Sequence, residues 1–377
     1  MCTDTMSEAQ PFIEETRPAI RSLPRYNAGL SIDYVRSHYK VDTIAKLGSN
    51  ENPYGPSPLV IEALRQAVSE CSIYPEASCD PLRLALAGRL SVAPARLIFG
   101  NGSEDLIAVI THTFLSAGDT VVTFAPSFGL RLIWPESVGA TVKTVSVNAD
   151  YQMDVEDVLA ALTSEPRLLI FGNPSNPVGS SLTISGFERI LAALTPKTLL
   201  VFDEAYLEYA SVDPSYPDFF RMLHNAGIPW LILRTFSKAY GLAGLRIGYA
   251  VASDAGLIDL MDRVRAPFNV NRLAQTAALA ALDDFPYVEK IVALTVRERQ
   301  RMQAELTELG YRIAPSLANF LFVQAREDAG ELANRLLTKG VIVKPWREAG
   351  FRDHLRVSIG THEANGQFLS AWKQLAK

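Results

Sequence analysis

The stretch "TLLVFDEAY" (198–206) runs four apolar residues, 199–202, straight into two adjacent carboxylates, Asp203 and Glu204. Apolar side chains on both faces of an extended segment predict a strand covered from each side. A carboxylate so near a core is costly unless it meets a cation or a donor. Outward from this point similar runs recur with helix-like segments between them: "TVVTF" (120–124), "ATVKTVSV" (140–147), "RLLIFGNP" (167–174), "WLILRTFSK" (230–238) and "RIGYAVAS" (246–253). Together they predict an α/β chain built on a mainly parallel, doubly wound sheet.

The tail has a different grammar. A charged amphipathic stretch, "EKIVALTVRERQRMQAELTELG" (289–310), is followed by the strand-like "NFLFVQA", "GVIVKPW" and "HLRVSIG", which predicts a smaller α+β unit. The expected division is 1–45 as an arm plus part of the small domain, 46–280 as the large domain and 281–377 as the C-terminal small domain.

At 377 residues, 48% apolar and 20% charged, the chain can bury a large core. A formal charge of −5 without a Lys/Arg run argues against nucleic acid as a partner. Three cysteines, with Cys71 and Cys79 outside CxxC spacing, give neither a disulfide framework nor a metal site. The start, "MCTDTMSEAQPFIEETRP", lacks the basic and apolar blocks of a leader, and no run reaches the ~18 apolar residues of a membrane span. A cytoplasmic location is expected.

In a doubly wound sheet ligands collect beyond the carboxyl ends of the strands, so polar residues that end apolar runs carry the functional expectations. "FGNGSEDLIAVI" (99–110) leads through Gly100 and Gly102 into a helix whose first N–H groups are free to cradle a phosphate; Ser103 serves equally as a plain N-cap. GxGxxG is not met, because Asp105 holds the third glycine position. "GNPSNPVG" (172–179) sets Asn176 on a stiff proline turn. Asp203 either caps the next helix or meets a cation, and Tyr206 shares its side if the segment turns helical.

The fourth place is "RTFSKAYGLAGLRIGYA" (234–250), with Lys238 beside Ser237 and ahead of Arg246. Desolvation disfavours an ammonium, so a lysine in apolar surroundings can become a neutral amine that attacks a carbonyl. Lysine, hydroxyl and arginine suit an aldehyde cofactor bearing a phosphate, such as pyridoxal phosphate, whose ring nitrogen stays protonated beside a carboxylate. Asp203 is the candidate.

These motifs, with "LPRYNAG", "SNENPYGPSP", "YPEASCDPLR", "APSFGLRL", "RAPFNVNRLAQTAALAAL", "ANFLFV" and "HLRVSIGTHEAN", span nearly the whole chain in one order. In that order the chain resembles fold-type I pyridoxal-phosphate aminotransferases, most closely the histidinol-phosphate aminotransferases. The resemblance implies that Lys238 binds the cofactor covalently, Asp203 pairs with its ring nitrogen, and Asn176 and Tyr206 hold its phenolic oxygen. Gly102, Ser103, Glu104 (mainly through its backbone), Thr235, Ser237 and Arg246 would hold the phosphate, and Tyr74 would be lent to the partner's phosphate site, so a homodimer is implied. Lys238, Asp203 and Tyr206 make up the expected catalytic set.

Phe128 stands where the family stacks tyrosine on the ring, keeping the stack and losing the hydroxyl. For the substrate, Tyr26, Asn52, Lys344 and Arg356 are implied; Lys344 replaces a common arginine, and Trp346 adds an aromatic wall. The implied reaction is ping-pong transfer of an amino group from histidinol phosphate, a step of histidine biosynthesis, to a 2-oxo acid such as 2-oxoglutarate. Aromatic amino acids such as phenylalanine and tyrosine are the alternative donors. A phospho-amino-acid decarboxylase would share Lys238, Asp203 and Arg246. A ligand sensor fused to a DNA-binding module would need a helix-turn-helix ahead of "KLGSNENPYG", for which about 45 residues are too few.

Overall fold

A computed structural model describes residues 10–376; the first nine residues of the stretch taken to lack a leader lie outside the described residues. Its strands, in chain order, are β1 (Ala45–Lys46), β2 (Leu97–Gly100), β3 (Thr120–Ala125), β4 (Thr141–Ser146), β5 (Leu168–Gly172), β6 (Leu199–Asp203), β7 (Trp230–Thr235), β8 (Gly248–Ala252), β9 (Arg312–Ile313), β10 (Phe320–Gln324), β11 (Val341–Ile342), β12 (Lys344–Pro345) and β13 (His354–Ser358). All six apolar runs of the large unit are strands. Among the described residues no helix is long and apolar enough to cross a membrane.

Seven strands form one sheet in the order β2-β8-β7-β6-β5-β3-β4. Every pairing is parallel except the two that β8 makes. Two features were not legible in the sequence. β2 is only four residues long, too short for a periodic signal. β8 runs backwards because the segment between β7 and β8 contains no crossover helix, only the turn Ala243–Leu245, and a short return makes antiparallel neighbours. Lys238 lies on that return.

The sheet is covered on both faces, as the unbroken apolar runs require. Within β6, Leu200 and Phe202 enter one core while Leu199 and Val201 enter the other. The edge strand β4 departs from this, with most of its positions exposed. Strand pairing then aligns the ends: Gly172 sits opposite Asp203, Asp203 opposite Leu233, and Thr235 opposite Gly248, which also faces Gly100. The carboxyl ends of β2, β5, β6 and β7 therefore share one rim.

The tail forms the antiparallel sheet β12-β13-β10-β9, and β1 pairs in parallel with β11. "GVIVKPW" is thus two short strands in two sheets. The charged stretch is the helix Phe285–Glu308. A separate core of Leu321, Val323, Leu355, Val357, Phe368 and Trp372 also takes in Ala45 and Leu47.

Candidate active site

The rim opens into a cavity of about 730 Å³ lined by residues from both sheets. Ser103, Glu104, Phe128, Asn176, Asp203, Tyr206, Thr235, Ser237, Lys238 and Arg246 line it from the large unit; Tyr26, Lys344 and Arg356 also line it. Three expected residues do not line it: Gly102, which lies against the Arg246 guanidinium at its edge, Tyr74 and Asn52. Tyr74 is 77% exposed, with its ring stacked 4.8 Å from that of Phe268. Asn52 does not line the cavity; its amide donates to Ala239 O at 2.9 Å and so ties down the backbone next to Lys238.

The two carboxylates that end β6 each find an arginine. Successive residues of an extended chain point to opposite faces, and here the partners come from different elements. Asp203 Oδ2 is 2.5 Å from Arg131 Nη2, on the helix Leu130–Ser137. Glu204 Oε2 accepts from Arg234 Nη2 at 2.7 Å and from Nε at 2.9 Å, within β7. Burial pushes the Glu204 carboxyl upward and Arg234 opposes that shift.

Lys238 points its Nζ at Ser49 O, 3.3 Å away. Its pKa is lowered from 10.5 to about 8, first by desolvation and then by the charge of Arg356. The neutral amine expected from its apolar surroundings is thus within reach near physiological pH.

A hydrogen-bonded chain crosses the cavity floor. Arg356 Nη1 donates to Asn176 Oδ1 at 2.8 Å, Asn176 Nδ2 to Tyr206 Oη at 3.2 Å, and Asn50 Nδ2 to the same oxygen at 2.9 Å. Asn50 takes a left-handed conformation, φ 54°, which asparagine tolerates well, and its remaining groups bond to Ser358 and Asn319. Tyr206 is buried, and desolvation raises its pKa. The "NPSNP" turn holds Asn176 in place, with cis bonds before Pro174 and Pro177.

Opposite lies a polar cradle. Ser103 begins the helix Ser103–Phe114, Thr235 Oγ1 donates to Ser237 Oγ at 2.9 Å, and Arg246 Nη2 bonds Glu104 Oε1 at 2.8 Å. Glu104, expected to act mainly through its backbone, therefore engages its carboxylate. Gly102 has φ 85°, and a Cβ there would collide with the Arg246 guanidinium, so only glycine leaves the cradle open. A helix N-terminus, two hydroxyls and an arginine brought together suit a phosphate group.

Residues 42–371 match the family described as Aminotransferase class I and II. The chain belongs to that family. Histidinol-phosphate aminotransferase 3 of Rhizobium meliloti (strain 1021) is 48% identical over 95% of this chain and 97% of its own length. Histidinol-phosphate aminotransferase 1 of Mesorhizobium japonicum is 45% identical over 98% of this chain and 100% of its own. The solved structure of histidinol-phosphate aminotransferase from Sinorhizobium meliloti, in complex with pyridoxal-5'-phosphate, superposes with a TM-score of 0.87 at 30% identity, covering 96% of this chain and 97% of that one. The resemblance read from the motifs is borne out, as is the fold. Pyridoxal phosphate, the cofactor read from Lys238, Asp203 and Arg246, agrees with that family and with the Sinorhizobium meliloti complex.

Among the cavity residues of this aminotransferase that the sequence reading leaves without a role are Asn50, Arg131 and Glu348. Asn50 and Arg131 stand inside quoted motifs, "SNENPYGPSP" and "APSFGLRL", so their signal was present but unassigned. Glu348 sits in a loop after β12 with no motif around it. Its placement depends on how that loop folds back, with its Oε1 accepting from Ser127 N at 3.2 Å.

Proposed function

We propose that this aminotransferase moves an amino group between histidinol phosphate and 2-oxoglutarate, in histidine biosynthesis, with pyridoxal phosphate held at Lys238. One observation carries the choice of donor. Lys344 and Arg356 are cross-strand partners of the antiparallel pair β12–β13, so two cations stand side by side at the cavity. Like charges directly opposite repel each other. The Lys344 pKa is lowered to about 8, by burial first and by Arg356 second. A phosphate, with roughly two negative charges, relieves that repulsion better than a single carboxylate.

The other residues take the roles that the family pattern implies. Asp203 would hold the cofactor's ring nitrogen, Asn176 and Tyr206 its phenolic oxygen, Phe128 the ring face, and Ser103, Glu104, Thr235, Ser237 and Arg246 its phosphate. When bound, pyridoxal phosphate supplies the electron sink and carries the amino group. Lys238 Nζ takes the proton from the donor's α-carbon and returns it on the other side of the transfer.

Aromatic amino acids are the second reading, favoured by the ring contact of Tyr26 with Phe128 at 5.8 Å and by Trp346 at the cavity wall. A cytoplasmic homodimer completes the proposal; the exposed Tyr74 supports a residue shared between subunits. The division into 46–280 and 281–377 is supported by the separate cores of the two sheets. Initial rates with histidinol phosphate, phenylalanine, tyrosine and histidine, each with 2-oxoglutarate, test the donor. A higher kcat/KM for phenylalanine or tyrosine than for histidinol phosphate would overturn it.

A further inference from the structure

Four carboxylates line the cavity: Glu51, Glu104, Asp203 and Glu348. Three have a cation of their own, Glu51 with Lys46 at 2.7 Å, Glu104 with Arg246 at 2.8 Å and Asp203 with Arg131 at 2.5 Å. Glu348 has none among the described residues. Its Oε1 accepts from the Ser127 backbone N–H at 3.2 Å and the Trp346 side chain also favours its charged form; two neutral donors leave acceptor capacity on a carboxylate with about four lone-pair sites. Burial raises its pKa, and the Ser127 N–H and the Trp346 side chain offset that shift only in part.

Such a carboxylate is expensive to keep half-buried, and a cavity wall is where a ligand can complete it. The wall is also well placed. Glu348 follows Lys344 by four residues on the same segment, and Ser127 adjoins Phe128. The segment is anchored by Trp346 and Phe351, which pack against Phe322.

We propose that Glu348 is a specificity-determining residue that accepts a hydrogen bond from a ring N–H of the amino donor, selecting an imidazole over a benzene ring. This rests on the reading of histidinol phosphate as donor. Lys344 and Arg356 take the anionic end, and Glu348 takes the nitrogenous ring. A phenylalanine ring has no donor for the carboxylate and would leave it desolvated and unmatched.

The test measures kcat/KM for histidinol phosphate and for phenylalanine in the holoenzyme and in Glu348→Gln and Glu348→Ala. Glutamine keeps an acceptor for Ser127 N–H while losing the charge. The expected result is a fall in the ratio of the two constants by roughly 10- to 100-fold in both variants, the worth of one hydrogen bond to a charged acceptor. The loss should fall mainly on KM for histidinol phosphate, while phenylalanine improves in Glu348→Ala. A merely structural role through Ser127 would lower both donors together and leave the ratio where it was, overturning the assignment to Glu348 alone. A wild-type enzyme that does not turn over histidinol phosphate overturns the donor reading, and this inference with it.

Discussion

Arg131 reaches from the helix Leu130–Ser137 to set its Nη2 2.5 Å from Asp203 Oδ2, both side chains only 5% exposed. The acid at the end of β6 is thus held by a buried cation before any ligand is considered, and its direction is fixed by the pair. Removing one partner of a buried pair leaves the other charge uncompensated. Arg131→Met should therefore cost roughly 3–5 kcal/mol of stability in urea unfolding, and it should lower kcat as Asp203 loses its orientation. Asp203→Asn should lower kcat sharply as well, because the charged partner of the cofactor's ring nitrogen is gone. A stability change under about 1 kcal/mol in Arg131→Met would show that the pair is replaced by solvent.

Lys238→Ala should abolish turnover and remove the visible absorbance of the cofactor-loaded protein. The wild-type lysine also predicts a pH dependence in the cofactor-free chain. Its folded pKa is about 8 against an ordinary 10.5, so between those values the unfolded chain binds more protons than the folded one. Stability linked to this group then rises with pH through that window, and below about pH 8 the buried ammonium carries its full cost. Lys238→Met without cofactor should be more stable than wild type at pH 7 by roughly 2–3 kcal/mol. The advantage should shrink toward pH 10.5 in urea titrations; a gap that does not change with pH would refute the titration.

Lys344 predicts a second pH effect, this time on the substrate. With its pKa at about 8, the amine loses its charge as pH rises past that value. The kcat/KM of the holoenzyme for histidinol phosphate should fall above about pH 8. Lys344→Arg keeps its charge at any accessible pH and restores a planar fork, so the fall should disappear and the phosphorylated donor should gain most. An identical profile in wild type and Lys344→Arg would remove Lys344 from phosphate binding.

Tyr74, exposed against Phe268 in the single chain, gives a test of the shared site. Tyr74→Ala and Lys238→Ala should each be poorly active alone. In a two-fold dimer that lends Tyr74 across the interface, mixed subunits form one intact site, so a refolded equimolar mixture should recover roughly a quarter of wild-type activity. No recovery would place Tyr74 outside the partner's site.

Much of the frame was legible because it rests on local signals. The runs that became β3, β5, β6 and β7 are apolar on both faces, which a buried strand demands, and Lys238, Asp203 and Arg246 carry chemistry that apolar segments seldom carry without cause. Asn50 and Asn52 show the limit. Two residues apart in one motif, they differ in function because Asn50 takes the left-handed turn that aims its amide at Tyr206, while Asn52 binds backbone near Ala239. Nothing in their side-chain chemistry distinguishes them.

The sequence by itself determined that strands end in polar residues on one rim and that a lysine is kept among apolar neighbours, since hydrophobic periodicity and desolvation are properties of residue type and order. Only the tertiary structure decided which cation meets which carboxylate: Arg131 with Asp203, Arg234 with Glu204, Lys344 beside Arg356, and Glu348 with no cation among the described residues. Charge pairing acts over a few ångströms between residues that stand up to 142 positions apart in the cavity pairs, as Glu104 and Arg246 do, so it is settled by packing rather than by spacing.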